Sequence, residues 1–367
     1  MVWPPDPGAI GLSVQQLDTP ALILDLDAVE RNLDRMDAAL AGTSVRARPH
    51  TKTHKVPNIA LMQLARGAIG ICCAKLGEAE VMAAGGVGPI LVTTEVVGDT
   101  KIRRLLGVAQ QTTVLTVVDD IQAASRLAAA ADAAGVSLDC LIDVNVGQNR
   151  TGVEPGDDAL ALAEHLSKAQ GLRLVGLQGY EGHLQHVRDP EERREANASA
   201  MQLLSQTADL LSERGHRIEI VSTAGTGTFR YAAQWPRITE VQPGSYVVMD
   251  SDYAGVQEVG FENALTVLVS VVSTQRKNAA VVDSGYKTLS SDSGSPRPRN
   301  VDATFAFMGD EHGKLTFENG CPLTPGDKLE LIPSHCDTTI NLHDVYYVTR
   351  GGYVVAVWPI AGRGRVR

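Results

Sequence analysis

Apolar and polar positions follow two different regimes along the chain. Up to about residue 245, short apolar runs alternate with amphipathic stretches. "ALILDL" (21–26) reads as a strand, and "DAVERNLDRMDAAL" follows as a helix with Asp27 placed as its N-cap. "SVRARPH", the helical "VPNIALMQLA", the strand "AIGICCA" and the helix "GEAEVMAA" come next. The apolar runs "PILVTTE", "TVLTVVD", "DCLIDVNV", "LRLVGLQG" and "IEIVST" are mostly followed by helical segments such as "DIQAASRLAAAADAAG". Eight or nine strands alternating with helices predict a parallel α/β architecture. Alternation of this length favours a closed (β/α)8 TIM-like barrel over an open doubly wound sheet. Counting "ALILDL" as the first barrel strand puts "RPHTKTHK" (48–55) at the end of the second.

After about residue 258 the texture changes. "ALTVLVSVVSTQ", "AAVVDSGY", "DKLELIPSH" and "VYYVTRGGYVVAVWP" are β-rich, carry turn signals such as "RGG" and show almost no helical periodicity. They predict a C-terminal antiparallel β domain. The expected division is a barrel over 1–258, with residues up to about 18 packing on the β domain, and the β domain over 259–367. "SSDSGSPRPRN" (290–300) reads as an ordered surface loop.

A chain of 367 residues has ample material for a buried core in two such domains, and 44% hydrophobic with 21% charged residues is ordinary for a globular protein. A net charge of −10 argues against nucleic acid or an anionic membrane as the main partner, because both need a basic face. The five cysteines, Cys72, Cys73, Cys140, Cys321 and Cys336, form no C-x-x-C pair, so buried free thiols in a reducing, cytoplasmic setting are expected. "MVWPPDPGAIG" lacks the regions of a signal peptide, and no apolar run reaches the roughly 20 residues of a membrane span.

Four stretches carry candidate chemistry. In "RPHTKTHK", Lys52 sits where a barrel strand meets its loop, and a desolvated lysine there is a candidate nucleophile for a Schiff base; the plain alternative is a solvated basic turn. "VSTAGTGTFRY" (221–231) offers small residues with backbone N–H groups and the hydroxyls of Thr223 and Thr226, suited to one phosphate, or else a tight glycine turn. "QPGSY" (242–246) is a further glycine–serine–tyrosine loop. In "IPSHCDTTINLHD" (332–344), read as a strand, His335 and Asp337 share a face while Cys336 points away, so the pair is able to grip one divalent cation. A polar loop with a satisfied histidine is the alternative. "LQGYEGHLQHVRD" (177–189) places His183 and His186 near Glu181, each a candidate general base or a surface histidine.

Taken in this order, the motifs resemble the D-threonine aldolase and D-serine dehydratase-like group of fold type III, alanine-racemase-like pyridoxal phosphate enzymes. The matching pieces are "DTPALILDLDAVERNL", "RPHTKTHK", "GICCAKLGEAE", "DVNVGQNRTGV", "LQGYEGHLQH", "AGTGT", "QPGSYVVMDSDY", "DEHG" and "PSHCDTTINLHD", spread from about residue 18 to residue 344. The resemblance implies that Lys52, not Lys55, carries pyridoxal 5'-phosphate. It implies Arg150 at the cofactor's phenolic oxygen and Gln178 and Tyr180 against the pyridine ring. Thr223, Gly225, Thr226, Gly227, Gly244, Ser245 and Tyr246 match positions around the phosphate. Where alanine racemases have Arg-Pro-Gly, this chain has Gln242-Pro243-Gly244, a departure that speaks against racemase activity.

Within the group, dehydratases carry His-x-Cys and D-threonine aldolases His-x-Asp; His335-Cys336-Asp337 matches the aldolase form. The resemblance then implies His335 and Asp337 as metal ligands, manganese first, with magnesium or zinc as alternatives, and Asp310 in "DEHG" as an acidic residue near the metal. The expected reaction is retro-aldol cleavage of a D-β-hydroxy-α-amino acid to glycine and an aldehyde, with Lys52 on the cofactor and His186 taking the hydroxyl proton. The rivals are a D-serine or D-hydroxyaspartate dehydratase on the same scaffold and a non-catalytic pyridoxal phosphate carrier. A homodimer is implied by the resemblance alone.

Overall fold

The computed structural model describes residues 7–367. The first six residues, part of the stretch read as lacking a signal peptide, lie outside the described residues. The chain divides into two compact units. One comprises the segment up to Arg35 with Ser245–Gly255 and Val259–Gly364; the other comprises Met36–Gly244 with Val256–Glu258 and Arg365–Arg367.

Strand β1 (Ala21–Asp25) is followed by helix α1 (Leu26–Leu40). The parallel strands are β2 (Arg46–Ala47), β3 (Ile71–Cys73), β4 (Ile90–Val92), β5 (Val114–Val118), β6 (Leu138–Asp143), β7 (Leu172–Gly179), β8 (Ile220–Thr223) and β9 (Glu240–Val241). Between them run α2 (Pro57–Ala65), α3 (Leu76–Ala84), α4 (Asp99–Ala109), α5 (Ile121–Ala133), α6 (Asp157–Leu166), α7 (Pro190–Glu213) and α8 (Phe229–Ala232). The strands pair in the order β2-β9-β8-β7-β6-β5-β4-β3. A parallel bridge from His50 to Cys72 joins the two ends, with Cys72 N donating to Pro49 O at 2.8 Å and Thr51 N to Cys72 O at 2.8 Å. The expected eight-stranded barrel is therefore present and closed.

Its strands read as continuous apolar runs because both faces are covered, as in β5, where every residue of "VLTVV" is buried. Cys72, Leu91, Leu115, Val117, Leu141 and Val175 form a core contributed by strands alone. Asp120 and Asp189 cap α5 and α7, accepting from Ala123 N at 2.7 Å and Glu192 N at 2.9 Å, and Pro190 fills the first helical position of α7.

"ALILDL" is not a barrel strand. β1 pairs antiparallel with β10 (Leu265–Arg276) and parallel with β16 (Val345–Arg350), so the barrel begins at β2 and Lys52 follows its first strand. An apolar run buried on both sides looks the same in either sheet; the partner, not the pattern, decides. Nor is Asp27 the cap of α1: Asp25 accepts from the N–H groups of Asp27 and Ala28 at 3.0 and 3.2 Å. Asp27 instead pairs with Arg350.

The second sheet adds β11 (Ala279–Val282), β12 (Arg297–Pro298), β13 (Thr304–Phe307), β14 (Gly313–Thr316), β15 (Lys328–Ile332) and β17 (Tyr353–Pro359), with a short helix α9 (Cys336–Ile340) before β16. Among the described residues its pairs are antiparallel except β1–β16. Ala9, Leu17, Ala21, Ile23, Leu268 and Val354 make its core, and Gly11 N donates to Val354 O at 2.8 Å, which pins the N-terminal segment to this sheet.

At the seam of the barrel, Arg48 grips Glu240 through two parallel bonds, Nε to Oε1 at 2.9 Å and Nη2 to Oε2 at 2.8 Å, with 6% and 2% of the two side chains exposed. Burial alone would lower the guanidinium's pKa, but the Glu240 carboxylate outweighs it and raises it. Gly70, at φ +146°, has no Cβ because one would collide with Arg48 Nη1. Removing one member strands the other as a buried charge. We expect Glu240→Gln to cost about 3–5 kcal/mol, seen as a lower urea midpoint by far-ultraviolet circular dichroism; an unchanged midpoint would show that the seam does not depend on the pair.

Candidate active site

Strand C-termini of a parallel barrel gather their side chains at one face, and the predicted residues of the barrel unit stand on those ends. Among the described residues Arg48 to Val56, Lys52 alone is not buried. Lys55, the competing lysine, has φ +59° and its ammonium bonds Glu78 Oε1 at 2.5 Å, with 7% and 3% of the two side chains exposed. The structure thus separates the two: Lys55 anchors the loop to α3, and Lys52 reaches an accessible position. Its backbone N–H donates to His50 Nδ1 at 3.3 Å, and His50 Nε2 meets Thr93 Oγ1 at 3.1 Å.

A connected set of neutral amides lies at the same face. Gln178, buried at the end of β7, donates through Nε2 to Asp143 Oδ1 at 2.9 Å and to Thr93 O at 3.2 Å. Its Oε1 accepts from Gln242 Nε2 at 3.1 Å, and Gln242 also donates to Ser222 Oγ at 2.7 Å. Arg150, exposed on the loop after β6, places its guanidinium carbon 5.7 Å from the ring centroid of the half-buried Tyr180. Arg150, Gln178 and Tyr180 therefore lie on neighbouring strand ends, as their shared assignment requires.

The glycine turn after β8 differs from expectation. The N–H groups of Ala224, Gly225 and Gly227 donate to Glu181 Oε2 (3.2 Å), Thr228 Oγ1 (3.3 Å) and Gln185 Oε1 (2.9 Å). Thr223 Oγ1 donates to Gly179 O at 2.6 Å. These are not the free donors read from the sequence; buried Glu181 and Gln185 from the β7 loop, and Thr228 of the turn itself, use them to fix the turn. Glu181 is the hub, also accepting from Thr228 Oγ1 at 2.6 Å and Asn197 Nδ2 at 3.1 Å. Gly225 and Gly227 are small because a Cβ would strike Gln185. Gly244 is small because a Cβ would lie 2.8 Å from Thr53 Oγ1, a buried hydroxyl without a hydrogen-bond partner, beside Lys52 in the chain. Among the described residues no group accepts from the backbone N–H of Gly244 or Ser245, so this step retains the open donors that the other turn lacks. An accessible lysine, a cation–aromatic pair and uncommitted N–H groups suit an aldehyde-bearing aromatic phosphate such as pyridoxal phosphate.

His183 and His186 are both exposed on the loop after β7. Partial burial pulls His183 below the ordinary imidazole value, which favours its neutral form.

In the other unit, Ser245 and Tyr246 are buried on a single 3-10 turn, with the Tyr246 ring 5.4 Å from that of Phe261. His335 and Asp337 do not share a strand. His335 is the extended residue before α9 and Asp337 lies in its first turn. Both are nonetheless partly exposed while Cys336 between them is fully buried, its thiol pushed well up by burial and by Asp250. Cys336 N donates to Asp250 Oδ2 at 2.9 Å, which fixes the start of the helix. His335 Nδ1 meets Asp292 Oδ2 at 2.6 Å. His343 stands apart, half-buried and pulled below the ordinary imidazole value by desolvation, its Nε2 donating to Thr288 O at 2.8 Å. Asp310 is on the exposed β13–β14 turn, where its carbonyl accepts from Lys287 N at 3.1 Å. Among the described residues no group of three His, Cys, Asp or Glu side chains gathers around a metal position. An imidazole and a carboxylate on one accessible step are a donor pair suited to a hard or borderline divalent ion, with water or substrate completing the sphere.

The sequence reading missed a carboxyl pair at the ends of β4 and β6, on either side of β5. Glu95 follows β4, Asp143 ends β6, and the two hydrogen-bond to each other with Asp119 nearby. Burial first, then the charges of Asp143 and Asp119, push Glu95 up to about 7, and burial raises Asp143. The signal was available: three acidic residues close successive strand ends in "TTE", "VVD" and "IDV".

Known proteins match the whole chain. The alanine racemase N-terminal domain model matches residues 24–252, and a serine dehydratase domain model matches 264–349. A D-threonine aldolase from an Arthrobacter species is 39% identical over 365 residues, 98% of this chain and 96% of its own. A 3-hydroxy-D-aspartate aldolase from Paracoccus denitrificans (strain Pd 1222) is 36% identical over 370 residues, 98% of this chain and 95% of its own. The crystal structure of D-threonine aldolase from Filomicrobium marinum superimposes with a TM-score of 0.95 at 44% identity, covering 98% of both chains.

The carboxyl pair sets a pH dependence. Glu95 binds its proton more tightly in the folded barrel than at the ordinary value of 4.5. The stability it contributes is therefore complete below about 4.5 and is lost as pH rises through about 7. We expect the melting temperature of Glu95→Gln to gain on the parent by a few degrees between pH 5 and pH 8; a constant difference would refute the shared proton.

Proposed function

Because the chain belongs to the alanine-racemase-like, fold type III family of pyridoxal phosphate enzymes, in its D-threonine aldolase branch, we propose that it cleaves D-β-hydroxy-α-amino acids. The products are glycine and an aldehyde: acetaldehyde from D-threonine, benzaldehyde from D-phenylserine, glyoxylate from D-3-hydroxyaspartate. The observation that carries the reading is Lys52, the accessible lysine at the end of the first barrel strand, beside a lysine already committed to Glu78.

Lys52 supplies the amine that holds pyridoxal phosphate. When bound, that group supplies an electron sink for the charge left at Cα as the Cα–Cβ bond breaks. Arg150 and Tyr180 steady its ring edge, and Gln178 braces the ring from the barrel floor. Thr226 and Gly244 are the barrel positions assigned to the phosphate. Thr223, Gly225 and Gly227, matched to it by the resemblance, shape the turn through their own hydrogen bonds. Ser245 and Tyr246 stay assigned to the phosphate on the resemblance alone. His335 and Asp337 would hold a divalent cation, manganese first, which when bound would supply the Lewis acidity that makes the substrate's hydroxyl more acidic. His186 accepts that proton, and Asp310 adds negative charge to the metal side. The finer expectations, a homodimer in the cytoplasm, rest on the resemblance and on five free cysteines. Among the described residues no helix is long and apolar enough to cross a membrane.

Two measurements check the reading. Purified protein with pyridoxal phosphate and Mn2+ should release glycine and aldehyde from the first three substrates, and a chelator should abolish the release. Ammonia and a keto acid, especially from D-serine, would move the protein to the dehydratase branch. Borohydride reduction followed by peptide mapping should place the pyridoxyl group on Lys52; a label on Lys55 would reverse the assignment.

A further inference from the structure

The loop at 290–300 carries no role in the reading above, yet its first residues are stitched to the segment that holds His335. Ser334 Oγ donates to Ser290 O at 3.2 Å, Ser290 N donates to Thr339 Oγ1 at 3.2 Å, and Thr338 Oγ1 donates to Asp292 Oδ1 at 3.0 Å. Ser290 Oγ donates to the same Oδ1 at 2.5 Å. The other oxygen, Oδ2, is 2.6 Å from His335 Nδ1. One carboxylate is thus fixed at both ends and aimed at one nitrogen of one imidazole.

We infer that Asp292 is a positioning residue for the divalent cation: it accepts a hydrogen bond from the Nδ1–H of His335, which fixes the tautomer and presents the Nε2 lone pair to the metal. A histidine that coordinates through one nitrogen is oriented by the hydrogen bond its other nitrogen makes, and a carboxylate in that place raises the basicity of the coordinating nitrogen. With Nδ1 occupied by Asp292, only Nε2 is left to face a cation, and the ring cannot swivel without breaking a bond to a carboxylate that two other groups, Ser290 and Thr338, hold in place. The inference rests on His335 and Asp337 being the metal-holding pair.

The test is Mn2+ binding to the full chain by calorimetry, and the absorption spectrum of the Co2+-loaded protein, with no turnover needed. Asp292→Ala should weaken Mn2+ about 10–100-fold, the range for losing such a partner, and the isosteric Asp292→Asn should weaken it less. The Co2+ spectrum should keep its shape, since the ligand set is unchanged. Thr338→Val removes an anchor of the loop but leaves the bond to His335, and should bind within a few-fold of the parent. Unchanged affinity in both Asp292 variants, beside a His335→Ala that has lost binding, overturns the inference alone. A Thr338→Val loss as large as that of Asp292→Ala makes the role loop anchoring, and an altered Co2+ spectrum in Asp292→Asn makes Asp292 a ligand; either overturns it. A parent protein that binds no Mn2+, or a His335→Ala that binds it undiminished, overturns the metal reading and this inference with it.

Discussion

The barrel closes on its weakest edge. β2 and β9 contribute two residues each, and the bridge from β2 to β3 is a single residue pair at His50 and Cys72. So few ladder bonds do not hold a barrel seam by themselves. The bidentate Arg48–Glu240 pair supplies what the ladder lacks, spanning β2 and β9 from inside the barrel wall. It is buried, so each charge depends on the other. Gly70 is kept free of a side chain to admit the guanidinium, and Cys72 lies close enough to feel its charge. Four residues beyond Arg48 stands Lys52. The position of Lys52 is set by how the seam is locked, because the intervening residues are buried and their backbone is bonded to both neighbouring strands' ends.

The same logic explains which parts of the molecule could be read from residues alone. Alternation of apolar runs and amphipathic helices announces a parallel barrel because such strands are buried on both faces and such helices on one. The β domain is legible for the opposite reason, since it lacks a helical period. What pattern does not carry is partner choice. β1 has the composition of a barrel strand and sits in the middle of the other sheet, because its neighbours, β10 and β16, lie more than 200 residues further on. His335 and Asp337 illustrate a different limit. They share exposure, as expected, but through a helix start rather than a strand, with Cys336 turned inward by the same local geometry. The glycine turn after β8 shows a third: small residues signal close approach, and the sequence does not say whether a ligand or a buried Gln185 makes it.

The polar floor of the barrel has a charge balance of its own. Glu240 is matched by Arg48, and Asp143 shares hydrogen bonds with Gln178, Thr151 and Glu95. Gln242 occupies the position where alanine racemases carry an arginine, and its amide donates to Gln178 Oε1, one amide away from Asp143. A guanidinium in that place would bring a positive charge within one hydrogen-bonded residue of the Asp143 carboxyl. It would favour ionisation of both Asp143 and Glu95, since a nearby cation lowers a carboxyl pKa. A neutral glutamine adds no such pull, and burial leaves the pKa of both carboxyls raised.

That coupling ties the departure at Gln242 to the carboxyl pair at the loops of β4 and β6. A buried arginine needs a buried counter-ion, and the available one, Glu240, is already taken by Arg48 at 2.8 Å. Introducing arginine at 242 therefore requires Asp143 to ionise, and it replaces the amide donor that Gln178 Oε1 now meets. The amide chain Gln242–Gln178–Asp143 is the arrangement in which every donor at this level finds an acceptor without a further charge. Once Arg48 and Glu240 are committed to closing the barrel, the amides of Gln242 and Gln178 meet their partners without a further cation, while Lys52 and Arg150 stand at strand ends without being buried.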